Sequence, residues 1–521
     1  MSMARGKIDP HRIARLAASA AVASPPHGKI PVRMPFSGDL LGDLPAGGEP
    51  DVARAVALAR AAQPAWHAAG ISARSRILLR FHDLLLERQD EALDLIQLEI
   101  GKARRHAFEE ILDTAIVARY YALHAAGFLR ARRHKGALPI LTRTLELRHP
   151  LGVIGFLSPW NFPLTLGITD ALPALMAGNA CVLKPDPQAA FTALWALDLL
   201  RESGLPRDVL HVVTGEGALL GPALTAHADY IMFTGSGRVG RTVGQQAAER
   251  LIGCSLELGG KNPMLVLADA ALASAVEGAV RGCFCGAGQV CVSIERIYVH
   301  ESLFDAFLAR FCERTRSMKL GAALDYSADM GSLATARQLA SVEAHVADAV
   351  SKGAAVAAGG RPRPDLGPLF YEPTILTGVR PQMQVFAEET FGPVVSVYPF
   401  RGEDEAVELA NAGRYGLSAA IWSRNTRCAM RLARRIRTGN VNINEAYAAA
   451  WGSVDSPIGG MKESGLHPRH GAEGILKYTA GQTVAAQHLI PIAPFGPVDA
   501  AMYARWMTRL VRLIKTTRFL G

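Results

Sequence analysis

From Leu151 onward the chain alternates short apolar runs with helix-like stretches, and that alternation leaves few folds open to it. Gly152-Val153-Ile154-Gly155-Phe156-Leu157 is one such run; Ala180-Cys181-Val182-Leu183, Val209-Leu210-His211-Val212-Val213 and Tyr230-Ile231-Met232-Phe233 follow. Strands that are apolar throughout belong to sheets buried on both faces, and intervening helices supply the cover. The expectation is a parallel sheet that binds a nucleotide at the carboxyl ends of its strands. A second series starts at Pro263-Met264-Leu265-Val266-Leu267. It runs through Arg296-Ile297-Tyr298-Val299 and Val394-Val395-Ser396-Val397 to Asn440-Val441-Asn442-Ile443-Asn444. Two α/β lobes are predicted, with the chemistry at their junction and the seam near Glu257.

The flanks read differently. Residues 1–50, interrupted by Ser24-Pro25-Pro26-His27-Gly28, are expected to form a loosely ordered leader. From Asp51 to about Arg132, apolar residues such as Ile77, Leu78, Phe81, Leu84 and Leu85 recur at helical spacing. Leu138 to Arg148 then alternates as an exposed strand does. In the tail, Met502, Trp506, Leu510 and Leu513 share one helical face, with Arg505, Arg509, Arg512 and Lys515 beside it. Such a helix can lie on an anionic membrane surface. Docking on its own body or on a neighbouring subunit is the reading adopted.

The 521 residues suffice for about three domains, and 49% apolar with 20% charged residues is a globular composition. The net charge of +9 comes without a Lys/Arg block, so a nucleic-acid partner is not expected and a phosphate-bearing cofactor is favoured. Seven cysteines without CxxC spacing point to reduced thiols, and no metal site is expected. Ala17 to Ala23 is too weakly apolar for a signal segment, and no apolar run reaches the roughly 18 residues of a membrane span. A cytoplasmic protein is the expectation.

Chemistry gathers at Phe284-Cys285-Gly286-Ala287-Gly288-Gln289-Val290-Cys291. Glycines before Cys291 let backbone approach a ligand, and a thiolate there can attack a carbonyl carbon. Glu257-Leu258-Gly259-Gly260-Lys261 and Ser158-Pro159-Trp160-Asn161-Phe162-Pro163 add a carboxylate and an amide. Those are the parts needed to oxidise an aldehyde through a thioester. Gly235-Ser236-Gly237-Arg238-Val239-Gly240 is a literal G-x-G-x-x-G at a strand-to-helix turn, with Glu257 about 20 residues on. Its setting fits Glu257 better as a base with close access to substrate than as a ribose ligand.

Together these motifs, with Gly178-Asn179, Lys184-Pro185, Glu389-Thr390-Phe391-Gly392-Pro393 and Pro457-Ile458-Gly459-Gly460-Met461-Lys462-Glu463-Ser464-Gly465, resemble the aldehyde dehydrogenase superfamily over about residues 50–485. Within it the chain is most similar to NADP-dependent succinate-semialdehyde dehydrogenases. The resemblance implies Cys291 as nucleophile, Glu257 as the base that activates water, and the Asn161 amide with the Cys291 backbone N–H as oxyanion donors. It implies cofactor contacts at Trp160, Lys184, Pro187, Gly235, Ser236, Leu258, Glu389 and Phe391. NAD-specific members often carry glutamate where Pro187 stands, so NADP is expected, with NAD the alternative. Asp186, one position earlier, has no assigned direction.

Substrate contacts are expected at Ser453, Cys285 and Thr169. In the better-understood succinate-semialdehyde enzymes the positions of Cys285 and Thr169 hold two carboxylate-binding arginines; Arg296 is a candidate substitute here. The implied reaction is succinate semialdehyde to succinate. The alternative is a broad-specificity, hydrophobic or aromatic aldehyde dehydrogenase, resting on membranes through its tail. The implied layout is a cofactor-binding domain at 51–132 and 150–257 and a catalytic domain at 258–450. Oligomerisation strands at 133–149 and 472–490 would make a homodimer or homotetramer, and a basic tail fills 491–521.

Overall fold

The computed structural model describes residues 9–23, 25–138 and 141–515. Ser24, Pro139 and Ile140, the first eight residues and the last six of the tail therefore lie outside the described residues. The first-lobe sheet runs, edge to edge, Gly465–Leu466, Gly253–Glu257, Tyr230–Thr234, Val153–Ser158, Ala180–Pro185 and Leu210–Val212. All neighbours are parallel except the short Gly465–Leu466 strand, which pairs antiparallel with the end of Gly253–Glu257. From Val153–Ser158 the chain first winds outward through Ala180–Pro185, then returns to the other side at Tyr230–Thr234. That reversal opens a crevice beyond the two carboxyl ends, where ligands bind in such sheets. Trp160 and Asn161 follow one of these ends, Gly235 and Ser236 the other.

The predicted helical segment is four helices, Glu49–Ala68, Ile71–Glu87, Gln89–Ile100 and Arg104–Leu129. Glu49–Ala68 lies against the first sheet, while the other three pack on one another and on the helices Ala171–Met176 and Ala190–Glu202, with Leu78, Phe81 and Leu85 fully buried. The predicted helix from Leu164 to Met176 is two short helices, Thr165–Ile168 and Ala171–Met176. Thr169 and Asp170, between them, keep helical backbone angles.

The second lobe holds seven strands among the described residues, in the order Ala355–Ala358, Thr374–Thr377, Val394–Phe400, Ile294–His300, Asn262–Val266, Ser418–Trp422 and Asn440–Ile443. Only the first pair is antiparallel. Glu257 ends a strand of one sheet and Asn262 begins a strand of the other. A third, antiparallel sheet joins Thr479–Gln487 to Thr142–Pro150 and Arg132–His134.

Two boundaries need correction. The expected loose leader is folded from Pro10: the helix Pro10–Ala18 and the hairpin Lys29–Arg33/Leu40–Pro45 bury Ile13, Leu16, Val32 and Leu44. Prolines and glycines at the hairpin's ends suggested disorder, but here they are turns between buried side chains. The stretch 472–490 is not strand throughout. Residues Gly471–Leu476 are helix, and Ile475 and Tyr478 are core; Tyr478 packs edge-on against Tyr230.

Candidate active site

Cys291 stands just after a turn that glycine makes possible. Gly286, Ala287 and Gly288 take φ values of 55°, 55° and 71°, a left-handed run. At Gly288 a Cβ would lie 2.0 Å from the carbonyl oxygen of Gly392, so no side chain fits. Asn262 pins the far side: its Nδ2 donates to the carbonyls of Cys291 and Ser293, both at 2.8 Å. The Asn161 amide reaches the same turn, donating from Nδ2 to Gln289 O at 2.9 Å. An amide has two N–H hydrogens, and this bond engages one of them.

Cys291 and Glu257 are walls of one small pocket, completed chiefly by Leu166, Leu258, Val292, Trp451 and Arg469. Burial, then the nearby Glu257 carboxylate, push the Cys291 thiol up to about 12. The thiol is protonated at neutral pH and needs a base beside it to become a nucleophile. Glu257 can be that base. Burial raises its pKa to about 7, although Arg469 and Lys477 pull it down. Its Oε1 has no hydrogen-bond partner, and neither has the Arg469 Nε that faces it across 4.0 Å. Arg469 is itself held by Asp170, Nη2 to Oδ2 at 2.5 Å, and by Thr234 Oγ1 at 3.3 Å. A buried thiol, a carboxylate that titrates near neutrality and an amide at the nucleophile's turn form a constellation for covalent acyl chemistry.

The aldehyde dehydrogenase family profile matches residues 22–484. The chain belongs to the aldehyde dehydrogenase family. A Mycolicibacterium smegmatis protein with the provisional name succinate-semialdehyde dehydrogenase (NADP+) is 48% identical, over 93% of this chain and 94% of its own. The crystal structure of an E. coli NADP-dependent enzyme superposes with a TM-score of 0.86 at 34% identity, covering 91% of this chain and 99% of the other. The succinate-semialdehyde dehydrogenase of Burkholderia pseudomallei gives 0.85 at 34% identity, covering 88% and 95%.

On the cofactor side of this aldehyde dehydrogenase, Lys184 ends the strand Ala180–Pro185 with only 6% of its surface exposed. Burial lowers its pKa, opposed by the charges of Asp186 and Glu216. Asp186 turns back to cap the short helix Pro187–Ala189, accepting from Gln188 N at 3.0 Å. Pro187, at the first position of that helix, offers no carboxylate. A largely desolvated ammonium that forms no ion pair among the described residues fits a phosphate-bearing cofactor. Ser236 caps the helix Gly237–Glu249, whose N-terminal N–H groups suit an anion. The third glycine of that motif has a packing role, since a Cβ on Gly240 would meet Leu258 at 2.5 Å. Glu389 Oε1 accepts from Gly260 N at 2.8 Å, and the rings of Trp160 and Phe391 meet edge to face at 5.6 Å. Trp160, Glu389 and Phe391 therefore lie along the lobe junction.

The substrate positions are brought together less well. Thr169 is buried and donates from Oγ1 to Thr165 O at 2.6 Å, inside its own helical turn. Ser453 is exposed and donates to Ala449 O at 2.7 Å. Cys285 is buried, with Sγ 3.8 Å from Glu109 Oε2, and the same carboxylate accepts from Tyr447 Oη. None of the three is a wall of the Cys291 pocket. Arg296 is no substitute either. Its guanidinium is spent on the carbonyls of Lys261, Leu409, Ala410 and Ala412.

Sequence reading missed Arg469, Asp170, Lys477 and Trp451. They lie in segments far apart in the chain, and only the return of residues 457–478 to the first lobe brings Arg469 to Glu257. It also missed Glu295, which pairs with Lys261 in the interior and accepts from the N–H groups of Thr390 and Phe391. Glu295 thereby ties the Glu389–Phe391 turn to the loop after Glu257.

Proposed function

We propose that this aldehyde dehydrogenase oxidises succinate semialdehyde to succinate with NADP. The reaction type is carried by one observation, the Cys291 thiol and the Glu257 carboxylate in a single pocket. In this reading Cys291 Sγ attacks the aldehyde carbon while Glu257 takes the thiol proton. The S–C bond forms, and the carbonyl electrons move to an oxyanion held by the Asn161 amide and the Cys291 N–H. Losing one such donor typically costs about 10²–10³ in rate. The nicotinamide, when bound, supplies the acceptor for the hydride. Glu257 releases the thiol proton to solvent and then takes a proton from water as its oxygen attacks the thioester; the C–S bond breaks and that proton passes from Glu257 to the sulfur, restoring the thiol. Lys184 would hold the adenosine end of NADP, with Gly235 and Ser236 at the pyrophosphate and Glu389 with Phe391 near the nicotinamide ribose.

The substrate rests on likeness to the semialdehyde enzymes. The pocket itself supports a second reading, an apolar or aromatic aldehyde, because Leu166, Val292, Leu417, Trp451 and Ile458 line it and Asp170 holds its one arginine. Steady-state rates on succinate semialdehyde, hexanal and benzaldehyde, each with NADP and NAD, separate the two. Higher kcat/KM for succinate semialdehyde with NADP is expected; higher values for hexanal or benzaldehyde overturn the substrate, and preference for NAD overturns the cofactor. The assembly belongs to the same reading: a homodimer or homotetramer through the exposed strand Thr479–Gln487.

A further inference from the structure

The helix Ala500–Ile514 ends the described chain, and none of its residues is buried. Sequence reading adopted docking on its own body or on a neighbouring subunit; the first of these leaves the helix without a buried face. Its residues segregate sharply around the axis at 3.6 per turn. Arg505, Arg509, Arg512 and Lys515 fall in one arc with Thr508. The remaining, wider arc is apolar. Within it Met502, Tyr503, Met507 and Leu510 are half-buried, while Trp506 and Leu513, which border the basic arc, are 51% and 73% exposed. Asp499, which caps the helix through Met502 N at 2.7 Å, is the last acidic residue of the chain. Residues 516–521 add Arg518 and Phe519 and include no Asp or Glu.

We infer that this terminal helix lies on an anionic lipid surface, with its apolar arc in the headgroup boundary and its arginines on phosphates. Three features select that occupant over a second copy. The basic arc has no carboxylate of its own helix to answer it, so the complementary surface is negative, whereas the chain as a whole carries +9. A self-complementary contact between two copies of this helix would also bring like charges together. An indole at the border of apolar and basic arcs suits an interface that is wet on one side only. No described helix is long and apolar enough to cross a membrane, so the contact is one of lying on the surface.

The test is co-sedimentation of the full chain with vesicles of phosphatidylcholine plus phosphatidylglycerol, set against phosphatidylcholine alone. Binding to the anionic vesicles, weakened by added salt, is expected. Changing Arg505, Arg509 and Arg512 together to Glu should lower the partition coefficient roughly a hundredfold or more. Trp506→Ser with Leu513→Gln should also weaken it, at unchanged salt sensitivity. All variants should keep the rate on a water-soluble aldehyde, which shows that they are folded. Absence of binding to anionic vesicles, or equal binding by the triple Glu variant, overturns the inference. A chain ending at Val498 that binds vesicles as before does so too. If that truncation instead shrinks the assembly in sedimentation velocity, the helix covers a partner subunit and the lipid assignment fails.

Discussion

Burial raises the pKa of Glu257 to about 7; Arg469 and Lys477 lower it, and Asp170 adds to the rise. A general base works only when unprotonated, so hydrolysis of the acyl-enzyme should rise with pH and level off above about 7. Arg469→Gln removes a stabilising cation, and the inflection of single-turnover deacylation should move to higher pH. Asp170→Asn should move it to lower pH. An inflection that stays put in both variants would remove Glu257 from the role of base. Glu257→Gln removes the base for both steps, so the added acyl mass on intact protein should build up slowly, while steady-state turnover falls by about 10²–10⁴. Full activity in Cys291→Ala would end the covalent account altogether. Pro187→Glu tests the cofactor at the same scale: a carboxylate near Lys184 should repel a 2′-phosphate, raising KM for NADP more than for NAD.

At the scale of the element, the nucleophile's turn depends on contacts that no local pattern announces. Lys261 and Glu295 are a buried ion pair that joins the loop after Glu257 to the Glu389–Phe391 turn. Glu295→Gln leaves a buried ammonium unpaired, a loss of about 3–5 kcal/mol, to be read as a lowered Tm together with weaker cofactor binding. A normal Tm would show that Lys261 finds another partner. What was legible in the sequence follows from the same physics. Strands such as Val153–Ser158 and Asn262–Val266 were readable because both faces are buried and every residue except the terminal Ser158 and Asn262 is apolar. Ala355–Ala358 and Thr374–Thr377 were not, being four residues each of alanine or threonine with Val, Ile or Leu. Motif glycines drew attention to Cys291 and Glu257, the proposed nucleophile and base, because backbone crowding leaves a mark on composition. Arg469 and Asp170 left none, since a side chain that acts across 299 positions has no spacing to recognise.

For the whole molecule, the leader and the third sheet decide how far the catalytic lobes stand alone. Residues 10–45 misled sequence reading because turns and a short hairpin resemble disorder until Val32 and Leu44 are seen in the core. The third sheet raises the opposite question, since it has a full register and little cover. Thr479–Gln487 pairs with Thr142–Pro150 along its entire length, yet eight of its nine residues are exposed and one edge is free. Long exposed edges are normally covered or paired, and a second subunit is the cover expected here. Tyr478 lies fully in the first-lobe core, so a chain ending there keeps that core while losing the strand. Sedimentation velocity of the full chain, the chain ending at Val498 and the chain ending at Tyr478 isolates the strand's part. The first two should share one subunit number, and the third should fall to monomer while still alkylating at Cys291 with iodoacetamide. Retention of the full assembly by the shortest chain would place the subunit contact elsewhere on the two lobes.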